Sequence, residues 1–561
     1  MTIRMIARHL CFRFTWQLSR QNHTLSYLRA KSNPSILQSG SRRSYSFLTQ
    51  SNRWKQLIVD HDETGPIDLI AVPLTENEWE SLMENLGNNS LKLWLQEQTG
   101  VIRLLPEMVQ EISDTLWLTM SDQVILPFTP TQIMLIRLDK ESKFSHSCVN
   151  DCELRPPNKS MEALSKTKSG ISEPCMIVLP PDSVLNENDM LQSFLLSSYT
   201  FHRYMSHAAS PQKSRVTIAE PPPSAELSAL VSSIYWCQDL ISTPARDLSP
   251  ATLQQAAQEW VDTQAHSVTM ECIIGDDLMS YNGALTTKFG CGLIHAVGQA
   301  AMAEDRLPRL IRMQYLPSNV PSSLRSIALV GKGVTFDTGG LNLKPGDSMI
   351  TMKKDMGGAA HALSLFRLLV ETKYPLPVQL VLPIVENVIG SNSYRPGDIL
   401  TAVNGTTTEI GNTDAEGRLI LADALALAAA DKPSILIDFA TLTGAARTAL
   451  GTELPALFTN QPGFEVQAML KAAHVARDPI WPLPLFEGYR SRMKGKLADY
   501  GNIAHDGGLG GAITAALYLS EFVDQVPWYH LDLHGIDKEG KGRAQGLHAI
   551  YQFLKDYSCA D

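Results

Sequence analysis

From residue 225 onward, apolar runs of strand length alternate with Ala- and Leu-rich stretches of helical character. The runs 327–330, 378–385, 435–439 and 528–533 are mainly apolar. Such runs mark strands buried on both faces, as in a parallel sheet. Between them, 357–371, 417–430 and 511–523 predict helices. This alternation implies an α/β fold: a mainly parallel sheet covered by helices on both faces, with ligands gathering beyond the carboxyl ends of its strands. Earlier, from 55 to 205, short β-type runs at 56–59, 67–73, 132–138 and 176–179 mix with helical patterns at 76–86 and 186–205. They predict a smaller N-terminal α/β domain carrying a polar insertion at 142–174. Residues 206–225 are rich in Ser and Pro and end in Pro221-Pro222-Pro223, which reads as a linker to a larger domain at 226–561.

Charge separates a leader from the rest. Residues 1–59 hold ten Lys or Arg and no Asp or Glu, leaving 38 basic against 58 acidic side chains after them. A basic, Ser-bearing, acid-free leader predicts a mitochondrial transit peptide over about 1–45, with cleavage after Tyr45 and a matrix location. A disordered basic tail on a cytoplasmic protein is the alternative. The acidic remainder disfavours nucleic acid as a partner. No apolar run is long enough to predict a membrane-spanning helix. The 8 cysteines form no CxxC pair, which suits a reducing compartment. His146, Cys148 and Cys152 in the polar insertion fit no usual zinc spacing and read as loop residues.

Candidate chemistry concentrates in two polar, Gly-flanked segments that follow strands. The first runs Val330-Gly-Lys332-Gly-Val-Thr-Phe-Asp337-Thr-Gly-Gly-Leu-Asn-Leu-Lys344 and continues to Met352-Lys-Lys-Asp355-Met-Gly-Gly. The second is Asn412-Thr-Asp414-Ala-Glu416-Gly-Arg418-Leu419, just before a helix. Together they offer the carboxylates Asp337, Asp355, Asp414 and Glu416 and, among their cationic groups, Lys332, Lys344 and Arg418, at loop-to-helix junctions. Carboxylates converging on one site oppose each other's ionisation. Two divalent cations about 3.5–4 Å apart would relieve that repulsion. Oxygen-rich ligation suits zinc, manganese or magnesium without selecting among them.

These segments resemble the signature of the leucine aminopeptidase (cytosol aminopeptidase) family of two-metal exopeptidases. The resemblance covers about 225–558 and includes Trp528-Tyr-His-Leu-Asp532. It implies that Asp337 and Glu416 contact both metals, that Lys332 and Asp355 complete the tighter site, and that Asp414 completes the more exchangeable one. It implies that Lys344 polarises the scissile carbonyl and that Arg418 holds a bicarbonate acting as general base. It further places Met352, Thr441 and Gly444 around the first side chain, suggesting leucine-like residues, and implies a homohexamer acting on peptides with a free amino terminus. Glu386 and Asn387 are expected to act on the site only through other residues, and His530 and Asp532 to stabilise a strand end. A two-metal phosphoesterase is disfavoured by the lack of histidine in either motif. A catalytically inactive paralogue is the main alternative, and all seven metal and catalytic positions are intact against it.

Overall fold

The computed structural model describes residues 224–558 apart from 265–266, 319–324 and 462, several residues between 192 and 205, and the backbone of six short strands before residue 219. The leader, residues 1–45, and the insertion with His146, Cys148 and Cys152 lie outside the described residues.

The six N-terminal strands form one sheet in the order Ile58–Val59, Val216–Ile218, Cys175–Ile177, Leu69–Leu74, Gln132–Arg137, Gln123–Leu126. All neighbours pair parallel except the last two. Two departures from expectation stand out. Val216–Ile218 is a strand inside the stretch read as linker, where the surrounding Ser and Pro mask a three-residue β-branched-bearing run. The helix expected over 186–205 includes Gln192, Leu195 and Leu196, but the chain is no longer helical from Tyr199.

The second sheet has nine strands: β1 (Val268–Ile274), β2 (Arg309–Tyr315), β3 (Ile327–Gly331), β4 (Gly333–Asp337), β5 (Val378–Asn387), β6 (Ile435–Ala440), β7 (Ala456–Thr459), β8 (Trp481–Pro482) and β9 (Trp528–Asp532). Their spatial order is β8-β7-β9-β6-β3-β5-β2-β1, with β4 pairing the distal half of β5. The centre, β9-β6-β3-β5, is parallel, whereas β7 joins β9, β2 joins β5 and β1 joins β2 antiparallel. The mainly parallel α/β architecture is therefore present, with antiparallel pairings toward both edges. Every residue of β3, β5, β6 and β9 is buried, which explains their mainly apolar character.

Helices α1 (Ala225–Ser242), α2 (Gly357–Glu371), α3 (Glu416–Ala430), α4 (Gly444–Leu450), α5 (Gly511–Ser520) and α6 (Leu547–Ser558) include those that bury the sheet. Of these, α1, α2 and α6 belong to one apolar core, and α3 and α5 to another. Helices α2 and α3 are buried along nearly their whole length, covered by the sheet and by neighbouring elements. Close contact needs glycine: a Cβ on Gly358 would lie 2.4 Å from the Phe439 carbonyl oxygen, so only glycine lets the start of α2 reach β6. His361 on α2 is held neutral by burial, its pKa pushed down to about 4. Its Nε2 accepts from the Gln545 N–H at 2.8 Å and its Nδ1 donates to the Gly357 carbonyl at 2.7 Å.

Candidate metal and peptidase site

The carboxyl ends of the central strands deliver the site. Lys332 sits where β3 hands over to β4, its N–H still bonded to the Phe439 carbonyl of β6 at 3.0 Å. Asp337 ends β4, and Asp355 and Glu416 stand at the starts of α2 and α3. Gly417 leaves room for the lysine, since a Cβ there would lie 2.3 Å from Lys332 Cε.

The charges interlock. Lys332 Nζ lies 2.8 Å from Asp355 Oδ2 and 3.0 Å from Glu416 Oε1. Lys344 Nζ lies 2.7 Å from Asp337 Oδ2 and also pairs with Asp414. Asp337, Asp414 and Glu416 each offer an oxygen within 4.8 Å of the others'. Glu416 Oε2 has no partner among the described residues. Burial, then the neighbouring carboxylates, push Asp337 and Glu416 well above the usual carboxylate range. Both lysines are held above their ordinary range by these acids, against a burial effect that opposes it. Buried acids in excess of well-fitted partners are the electrostatic arrangement that divalent cations relieve.

Nine of the ten residues expected at the site line one cavity of about 240 Å³: Lys332, Asp337, Lys344, Met352, Asp355, Asp414, Glu416, Thr441 and Gly444. Arg418 does not line it. Its guanidinium is buried behind Glu416, where Nη1 donates to the Asn502 carbonyl at 2.7 Å and Nε has no partner among the described residues. Thr441 also does more than bound a pocket, since its hydroxyl donates to Asp355 Oδ1 at 2.9 Å.

Polar neighbours hold these carboxylates and loops in place. Asn387 Nδ2 donates to Asp337 Oδ1 at 2.8 Å and to the Thr413 carbonyl at 3.1 Å. Thr413 Oγ1 donates to the Gly339 carbonyl at 2.6 Å and Asn342 Oδ1 accepts from the Thr413 N–H at 2.9 Å, locking the two loops together. Gly339 and Gly340 adopt φ of 87° and 62°, conformations that favour glycine, to make that loop. Glu386 points elsewhere, pairing with Arg306 at 2.6 Å. His530 Nδ1 and Trp528 Nε1 occupy the two oxygens of Asp438, a core network apart from the cavity. Asp532 accepts from the Leu442 and Thr443 N–H groups, both at 3.1 Å, and so holds the approach to α4.

Comparison with known proteins agrees with this geometry. The cytosol aminopeptidase family's catalytic domain matches residues 235–550. The chain belongs to the cytosol aminopeptidase family. That membership makes this region the catalytic domain of a peptidase, a hydrolase. A protein of Solibacter usitatus named "Probable cytosol aminopeptidase" is 41% identical over 307 residues, 54% of this chain and 60% of the relative's own length. The crystal structure of the cytosol aminopeptidase from Coxiella burnetii is 32% identical, with a TM-score of 0.71, covering 89% of this chain and 99% of that one. The bottromycin maturation enzyme BotP in complex with Mn is 27% identical, with a TM-score of 0.69, covering 88% of this chain and 100% of that one.

Proposed function

We propose that the protein is an aminopeptidase that hydrolyses the first peptide bond of peptides using two divalent metal ions. The observation that carries this reading is the convergence of Asp337, Asp414 and Glu416 oxygens within 4.8 Å in a cavity of a cytosol aminopeptidase fold. The donor set fits: carboxylates in excess, one buried Glu416 oxygen without a partner among the described residues, and oxygen ligation compatible with zinc, manganese or magnesium. The manganese in the BotP structure supports that class of ion. Asp337 and Glu416 would be shared, Lys332 and Asp355 would complete the buried site, and Asp414, whose side chain is 32% exposed, the more exchangeable one. The bound ions would supply Lewis acidity and an acidified water near neutral pH.

The remaining steps belong to the chain's own groups. Asp355 anchors the free α-amine of the substrate, which confines attack to the first residue. Lys344, facing the cavity beside Asp337 and Asp414, stabilises the oxyanion that develops on the scissile carbonyl. Arg418, a buried guanidinium whose Nε has no partner among the described residues, suits a small anion, and it would hold the bicarbonate that the resemblance implies, which would supply a general base. The acid-free leader supports mitochondrial targeting, and the resemblance supports a homohexamer. An amino terminus at Met1 in protein isolated from its native source would overturn the first, and a monomeric mass by light scattering the second.

The test is hydrolysis of a leucine anilide by metal-stripped protein before and after adding Mn²⁺ or Zn²⁺. Metal-dependent release, abolished when the amine is acetylated, is the expected result. No release from any aminoacyl anilide by folded, metal-loaded protein would point to an inactive paralogue.

A further inference from the structure

The cavity wall beside the residues assigned to the first side chain is basic. Lys354 lies on the turn that carries Met352 and Asp355. Its Nζ donates to the His534 carbonyl at 3.0 Å and sits 3.2 Å from His534 Nδ1. With Nδ1 accepting from an ammonium, the His534 ring is neutral and carries its proton on Nε2. Gly535, which follows His534, lies against Thr441: a Cβ there would be 3.3 Å from Thr441 Cγ2, and Thr441, Lys354 and His534 line the same cavity. Arg447, one turn along α4 from Gly444, lines the same cavity.

These cations differ from the other two in the cavity. Lys332 and Lys344 are each paired with two carboxylates. Among the described residues, neither Lys354 nor Arg447 has a carboxylate partner, although both stand in the cavity with acids. The acids nearby are committed: Asp355 to Lys332 and Thr441, and Asp532 to the Leu442 and Thr443 N–H groups and the Thr443 hydroxyl. A largely buried ammonium with a donor to spare favours an anionic partner, because an uncompensated buried charge is costly.

We propose that the side-chain pocket selects a first residue bearing a carboxylate, glutamate or aspartate, over leucine, with Lys354 and Arg447 receiving the side-chain carboxylate. Met352, Leu533 and the Thr441 methyl would flank its methylenes, and lysine or arginine at that position would be repelled. This rests on the aminopeptidase reading and replaces the leucine-like preference that the resemblance implies.

The test uses full-length, metal-loaded protein with aminomethylcoumarin amides of Glu, Asp, Leu and Lys, alongside thermal shifts with free glutamate and free leucine. The expected kcat/KM is higher for Glu or Asp than for Leu. In Lys354→Met the acidic-to-leucine ratio should fall by about tenfold or more, the worth of one hydrogen bond to a charged group. In Arg447→Gln, where solvent screens the exposed charge, it should fall less. A wild-type preference for Leu, or a ratio unchanged in both variants, overturns the proposal. If Lys354→Met does not fold, the wild-type ratio and Arg447→Gln decide. Release from no substrate at all would instead defeat the aminopeptidase reading. The thermal shifts then decide the pocket: a larger shift with glutamate, reduced in either variant, supports it, and equal shifts overturn it.

Discussion

Helix α3 buries two carboxylates two turns apart, and they live in opposite surroundings. Asp423 Oδ2 accepts from the Leu293 and Ile294 N–H groups at 2.9 and 3.1 Å, and Oδ1 from the Val403 N–H at 2.7 Å. Glu416 has Lys332 3.0 Å from Oε1 and no partner for Oε2 among the described residues. Burial raises both pKa values, Asp423 to about 7 and Glu416 well above the usual range. Asp423 is surrounded by fixed neutral donors that tie β-turn, helix and loop together. Glu416 is surrounded by charges, among them Asp337 and Asp355, which oppose its ionisation. Burial alone therefore does not distinguish a structural acid from a functional one. The partners do: backbone donors complete a structure, whereas competing charges leave a place for something else.

Glu416→Gln should break the charged half of this comparison. Metal content by elemental analysis should fall below wild type, and turnover should fall further than in any other variant considered. Lys344→Ala should retain metal and lose about 10²–10³ in kcat, the worth of one oxyanion contact. Full turnover in Lys344→Ala would remove it from the chemistry and leave it as a counter-charge for Asp337 and Asp414.

Much of this site is legible in the sequence because its chemistry is local. Lys332 to Lys344, Asp355 and the octapeptide around Glu416 each lie on a short stretch at a strand end, and mainly apolar runs mark the central strands. The partners of Asn387, Thr413, Asn342 and Asn502 are a different case. They lie between 26 and 90 residues away, and single small polar residues carry no periodicity. Asn387 itself is marked in the sequence by its place, a polar residue closing a ten-residue buried strand, but its partners are not. The antiparallel edges were illegible because strand direction depends on long connections rather than on composition. Lys354 and His534 were hidden for a related reason. They are 180 residues apart, and only the fold makes them one basic wall.

Asp423→Ala should act on the structural half. It strands three buried N–H groups, so the variant should lose about 1–3 kcal/mol of stability in denaturant unfolding at pH 7.5. Metal content, and kcat per folded molecule, should match wild type. A variant that lost metal without losing stability would show that Asp423 belongs with Glu416 after all.

The finest test is the pH dependence of that same stability difference. Asp423 has a folded pKa of about 7 against an ordinary value of 3.8. Between those values the native carboxyl holds a proton that the unfolded one has released. Wild-type stability due to this group therefore falls as pH rises, by up to about 1.4 kcal/mol per unit, and levels off above pH 7. Alanine cannot titrate, so the cost of Asp423→Ala should be greatest below about pH 4 and smallest above pH 7. Histidines held near pKa 4, such as His361 and His548, give wild type and variant the same opposing slope, which cancels in the difference. A cost independent of pH between 5 and 8 would mean that three N–H donors outweigh burial and keep Asp423 ionised throughout. The two carboxylates of α3 would then differ in charge state as well as in partners, and the raised pKa of Glu416 would be traced to its charged neighbours more than to the interior they share.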